Sequence, residues 1–115
     1  MAKDVTLWTS HKQAVIVSIT DGVEKILHVE SKAQGGVGKK RRQQRGEHYR
    51  KVIRAIQDAQ EIFILGPAQA KMELKSEILK AGKLSLRVVG TETADAMTED
   101  ELVALARVIC RSRIV

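Results

Sequence analysis

Val5 to Thr9 and Ala14 to Thr20 are rich in β-branched residues and are separated by the polar Ser10-His11-Lys12-Gln13, the pattern of two strands in a hairpin. Asp21-Gly22 follows, a pair that tolerates positive φ in a tight two-residue turn, and leads into a third strand over Val23 to Val29. Apolar periodicity then stops. Across Ser31 to Gly46 the chain is dominated by Gly, Gln, Lys and Arg, which predicts a flexible, disordered loop.

Periodicity returns with a new spacing. Tyr49, Val52, Ile53, Ile56 and Ala59 recur three and four apart, which predicts a helix from about Glu47 to Gln60 with one apolar stripe. Glu61-Ile62-Phe63-Ile64-Leu65 is a short apolar run of the kind buried on both faces in a parallel sheet. Gly66-Pro67 ends it and opens a second helix over Pro67 to Ala81, with Ala70, Leu74, Ile78 and Ala81 inward and Gly82 as the stop. Leu84 to Val89 reads as the last strand, closed by Gly90. Thr98-Glu99-Asp100-Glu101 is a capping box for a third helix that turns Leu102, Leu105, Ala106 and Ile109 inward and gathers Arg107, Arg111 and Arg113 near its negative end.

The order β-β-β-α-β-α-β-α describes an α/β domain: a mixed five-stranded sheet, three antiparallel strands and then two reached by crossovers, with three helices on its faces. At 115 residues the chain fits one domain over 1–115, with the basic loop 31–46 inserted. Aromatic residues are limited to Trp8, Tyr49 and Phe63, so the core must be built from Val, Ile, Leu and Ala.

The formal charge of +6 at pH 7 points to polyanions, nucleic acid first and an anionic membrane surface second. Cys110 is the only cysteine, so no internal disulfide is possible; it reads as an apolar filler in a cytoplasmic protein. No apolar stretch approaches the ~20 residues of a membrane span.

Several kinds of chemistry lack their residues. His11, His28 and His48 are far apart in sequence with no Cys or carboxylate at ligand spacing, so they read as surface or strand polar residues, with no metal or cofactor expected. No serine stands in a Gly-x-Ser-x-Gly elbow, and the strands offer no carboxylate pair for a two-metal nuclease. Gly66-Pro67-Ala68-Gln69-Ala70-Lys71 sets a strand end against a helix start, where an anion can be held; it reads as a plain strand-to-helix turn. Glu92, Asp95 and Thr98 read as helix-start electrostatics.

The basic segment carries the strongest functional signal. Lys39, Lys40, Arg41, Arg42 and Arg45 are framed by Gly35, Gly36, Gly38 and Gly46, and Arg50, Lys51 and Arg54 continue the charge along the predicted helix. These cations can neutralise phosphates, and the glycines allow a backbone to approach RNA closely.

Gly35-Gly36, the basic stretch, His48-Tyr49-Arg50-Lys51-Val52, Ile62-Phe63-Ile64-Leu65-Gly66-Pro67-Ala68, Lys71-Met72-Glu73-Leu74 and Val88-Val89-Gly90-Thr91-Glu92-Thr93 together resemble the central domain of the archaeal and eukaryotic class I peptide-chain release factor. The chain is similar above all to small single-domain bacterial relatives labelled translational machinery proteins. The resemblance runs from Val5 to Ala106 and implies a ribonuclease-H-like domain linked to the ribosome. In that family the loop before the first helix carries Gly-Gly-Gln, whose glutamine positions water against the peptidyl-tRNA ester. Here Val37 follows Gly35-Gly36 and Gln34 precedes them, and a valine side chain can neither donate nor accept a hydrogen bond.

The sequence therefore reads as a non-catalytic binder of the ribosome or ribosomal RNA. Two alternatives belong to other classes. One is a release-factor-type peptidyl-tRNA or ester hydrolase using Gln34, Gln43 or Gln44; the other is a protein-interaction module that pairs a sheet edge with a partner or with a second copy of itself.

Overall fold

The computed structural model describes residues 3–30, 39–80, 82 and 87–112, with the backbone alone for 39–45, 111 and 112. Strands β1 (Lys3–Thr9), β2 (Gln13–Thr20) and β3 (Val23–Glu30) are followed by α1 (Lys39–Ile56), β4 (Glu61–Gly66), α2 (Ala68–Lys80), β5 (Val88–Thr93) and α3 (Glu99–Ser112). The sheet order is β3-β2-β1-β4-β5. The β1/β2 and β2/β3 pairs are antiparallel, and β1/β4 and β4/β5 are parallel. This is the expected mixed five-stranded sheet with three helices.

Local chemistry sets the turns. Asp21 and Gly22 both take positive φ, 52° and 77°, which matches the twist of the strands they join. Gly66 is required by proximity: a Cβ there would lie 2.2 Å from the Thr9 carbonyl oxygen, so only glycine lets β4 leave the sheet beside β1. Gly82, at φ 76°, stands just past α2 in the left-handed conformation that ends helices. At α3 the capping box forms as read from sequence. The Glu101 amide donates to Thr98 Oγ1 at 3.2 Å, and the Thr98 amide donates to Glu101 Oε1 at 3.2 Å.

The sheet separates two apolar layers. On one face Val5, Leu7, Ala14, Ile16, Ile62 and Ile64 pack with Tyr49, Val52, Ile53, Ile56 and Ala59 from α1 and its exit, and with Leu74 and Ile78 of α2. On the other, Trp8, Val17, Ile19 and Leu65 meet Leu102 and Ala106 of α3. Trp8 is held at both ends of its character. Its ring is buried, and its indole N–H donates to the carbonyls of Ala94 (3.2 Å) and Asp95 (3.0 Å) in the β5–α3 connection.

Three expectations are corrected. First, residues 39–46 are helical, so α1 begins eight residues before Glu47. Lys, Arg and Gln are good helix formers, and a helix already fixed by its packed half extends through them. The helix also ends earlier, at Ile56, where the Arg87 guanidinium donates to the carbonyls of Gln57 (3.2 Å) and Ala59 (2.9 Å). Second, the last strand is β5 at Val88–Thr93 rather than Leu84 to Val89, and residues 83–86 lie outside those described. Gly90 is inside this strand, because a Cβ there would come within 2.6 Å of the Phe63 ring on β4. The register shifts between Ile62 and Phe63 at the same place. Third, Arg107 does more than complement a helix end: its guanidinium pairs with Glu24 of β3 at 2.7 Å.

Candidate nucleic-acid interface

The basic segment is now divided. Gly35, Gly36 and Gly38 lie outside the described residues, as do Gln34 and Val37. Lys39, Lys40, Arg41, Arg42 and Arg45 occupy the first two turns of α1, a helix where a loop was expected. Arg50, Lys51 and Arg54 lie on the exposed side of its packed half. Among the described residues no carboxylate pairs with these three.

Two features of α1 bear on anions. Its first turn contains no acidic residue and opens with Lys39-Lys40-Arg41-Arg42, cations placed at the positive end of the helix dipole. That arrangement opposes the dipole by about 0.3–1 kcal/mol per charge, and an anion at this end reverses the sign. Gly46, a helix-interior glycine that costs about 0.5–1 kcal/mol relative to alanine, leaves room for Arg50: a Cβ at 46 would lie 3.3 Å from the Arg50 guanidinium.

Beneath this helix is a polar cluster that sequence reasoning missed. Tyr49 is buried, and its hydroxyl donates to Glu73 Oε2 of α2 at 3.0 Å. The hydroxyl has one proton, so at 3.1 Å from His11 Nδ1 it accepts from the imidazole. Neutral His11 therefore carries its hydrogen on Nδ1, an assignment that follows from the network. Glu73 lies 3.5 Å from the same nitrogen. The cluster ties the β1–β2 turn, α1 and α2 to one point.

His48 is the neighbour of this network, not the surface residue expected. It is 1% exposed, its Nε2 stands 3.5 Å from Thr9 Oγ1, and its Nδ1 has no partner among the described residues. Burial lowers its pKa below the usual histidine value; a backbone hydrogen bond at Ser10 works against this, and Lys51 and His11 add to it. His28 does lie on the surface, where it pairs with Glu99. Among the described residues no group of three or more His, Cys, Asp or Glu is placed to hold a metal ion.

At the Gly66-Pro67 turn Lys71 is engaged within the protein. The Lys71 amide donates to the Pro67 carbonyl at 3.0 Å, and its ammonium donates to Thr93 Oγ1 at 2.9 Å. Cys110 is half-buried with its thiol donating to Asp4 Oδ2 at 3.3 Å, and burial first, then Asp4, pushes its pKa up. A thiol so placed is a poor nucleophile. No helix among the described residues is long and apolar enough to cross a membrane.

No family model matches this sequence, and no curated protein matches it either. Solved structures do. Pelota of Archaeoglobus fulgidus superposes with a TM-score of 0.65 at 10% identity, over 97% of this chain and 34% of that one. The Thermoplasma acidophilum Pelota protein gives 0.63 at 18% identity over 89% and 30%. The archaeal translation termination factor aRF1 gives 0.55 at 16% identity over 91% and 34%. At such identities the likeness is one of fold, and the chain spans about a third of each of these proteins.

Proposed function

We propose that this chain is a non-catalytic, translation-linked domain that binds the ribosome or ribosomal RNA through the basic N-terminal half of α1 and the glycine-rich segment before it. Lys39, Lys40, Arg41, Arg42 and Arg45 contact phosphates; Arg50, Lys51 and Arg54 extend the track; Gly35, Gly36 and Gly38 let the backbone approach. The observation that carries this reading is α1 itself: exposed cations with no carboxylate partner among the described residues continue a cationic first turn that has no acid to complement its dipole. The shared fold with Pelota and with a termination factor supports the link to translation. Val37 after Gly35-Gly36 supports the absence of catalysis, since it brings no hydrogen-bonding group to the ester.

Salt dependence tests it. If about five cations meet phosphates, the log-log slope of RNA binding against salt is about −3 to −5, from roughly 0.7–0.9 per contact. Replacing Arg41 and Arg42 by Gln flattens that slope by roughly one to two units. Replacing Lys75 and Lys80 of α2 removes the same charge and leaves the slope unchanged. Equal losses from both pairs mean that binding follows net charge, and the reading is then wrong.

A further inference from the structure

We propose that β3 is a self-pairing edge: two copies of the chain join their β3 strands antiparallel, with Ile26 opposite Ile26 of the second copy, to make one continuous sheet. This goes beyond ribosome binding and rests on different residues.

The β3 edge of the sheet is the starting point. β3 ends the sheet order, and all eight of its residues pair with β2 without a bulge. It contains no proline, and Lys25 is its only lysine. Val23, Ile26 and Leu27 are 61%, 40% and 49% exposed. Such a strand has neither the proline nor the bulge that keeps edges from pairing.

The pleat and the charges choose the occupant and the register. In an antiparallel pair, opposite residues project to the same face, so a symmetric pair can be centred only on a residue, never between two. Centring on Lys25 sets two ammonium groups on the axis. Centring on Leu27 sets Glu24 against Glu30 of the second copy. Centring on Ile26 sets Ile26 on itself, Val23 against Val29, and Glu24 against His28 on both sides of the axis. Apolar pairs of this kind stabilise adjacent strands, whereas like charges directly opposite oppose them; a Glu24 carboxylate can accept a hydrogen bond from the His28 ring. Glu24 and His28 both line the α3 face, where they already meet Arg107 and Glu99. The second copy therefore continues an existing row of carboxylates alternating with hydrogen-bonding partners, so β3 complements itself.

Sedimentation equilibrium on the whole chain should show a concentration-dependent dimer. Ile26→Lys should weaken it by about tenfold or more through the like charges it places on the axis, with the circular dichroism spectrum kept. Register is read by crosslinking in a Cys110→Ser background. Ile26→Cys should oxidise to a covalent dimer, whereas Leu27→Cys should not, since it stands opposite Lys25 and two Cα atoms more than about 7 Å apart cannot be bridged. A mixture of Val23→Cys and Val29→Cys chains should crosslink to each other. A chain that stays monomeric up to its solubility limit overturns the proposal. So does a dimer that survives Ile26→Lys, or crosslinking at 27 as efficient as at 26. If Ile26→Lys fails to fold, the cysteine series decides alone.

Discussion

The two halves of α1 are built on different physics. From Tyr49 to Ile56 the helix is held by burial: Tyr49, Val52, Ile53 and Ile56 are each at most 7% exposed against the sheet, and a fully buried side chain of this size contributes roughly 1.5–3 kcal/mol. From Lys39 to Glu47 there is no apolar residue at all, and the helix continues on propensity, against its own dipole. One half is held by burial, and the other extends the same helix with a run of basic residues. On the proposed function, that division would let the charges change without changing the fold.

Mutations on the two sides of this boundary should therefore separate. The largest effect is expected at Ile56→Ala, which opens a cavity in the layer under α1 and should cost about 2–5 kcal/mol in chemical denaturation. A cost under about 1 kcal/mol would mean that the packed half is not what holds the helix.

Tyr49→Phe keeps the ring but removes the hydroxyl between His11 and Glu73. Losing a hydrogen bond to a charged acceptor should cost about 1.5–3 kcal/mol, and the same change should leave RNA affinity at neutral pH unaltered. Affinity falling in step with stability would place the cluster inside the binding surface and blur the boundary.

His48 gives the comparison a pH axis. Its folded pKa lies below its ordinary value because burial disfavours the imidazolium, so the unfolded chain takes up the proton first. Its neutral, buried form is unpenalised above about pH 6.5, the ordinary histidine value. Stability falls as pH drops from there towards the lowered folded pKa, below which the loss stops growing. His48→Gln should flatten that part of the stability-pH curve. An unchanged curve would show that another group titrates there.

The smallest effect on stability, and the opposite in sign, is expected from Arg41→Gln with Arg42→Gln. Removing two cations from the positive end of α1 should leave the melting point unchanged or raise stability by about 0.3–1 kcal/mol per charge. RNA binding should weaken at the same time. Simultaneous loss of both would show that the cationic half also supports the fold.

Much of this architecture is legible along the chain because the sheet and the packed helices leave periodic apolar traces. The turn at Asp21-Gly22, the capping box at Thr98 and the inward faces of all three helices follow from neighbouring residues, with Ala81 outside those described. What misled was signal of the wrong kind. The first turns of α1 look like a loop because they contain no apolar side chain, yet a helix needs no apolar stripe where a packed segment already fixes it. β5 was displaced because Leu84 to Val89 is the more apolar run, while the true strand ends in Thr91-Glu92-Thr93 and needs Gly90 to clear Phe63. The His11, His48, Tyr49 and Glu73 cluster joins the β1–β2 turn, α1 and α2. No local pattern announces such a meeting, although two histidines and one tyrosine in so aromatic-poor a chain were a clue. The glycine motif before α1 lies outside the described residues and is neither supported nor opposed.

Trp8 and Tyr49 are the only residues of their kinds, and they lie in the two different apolar layers. The molecule thus carries a built-in pair of optical reporters, one per layer. Trp8 emission follows the seat of α3 through its bonds to Ala94 and Asp95, and Tyr49 absorbance follows the seat of α1 through Glu73. Coincident transitions would describe one cooperative unit; a tyrosine signal that leads would reveal a molecule able to loosen its cationic helix while the opposite side stays closed.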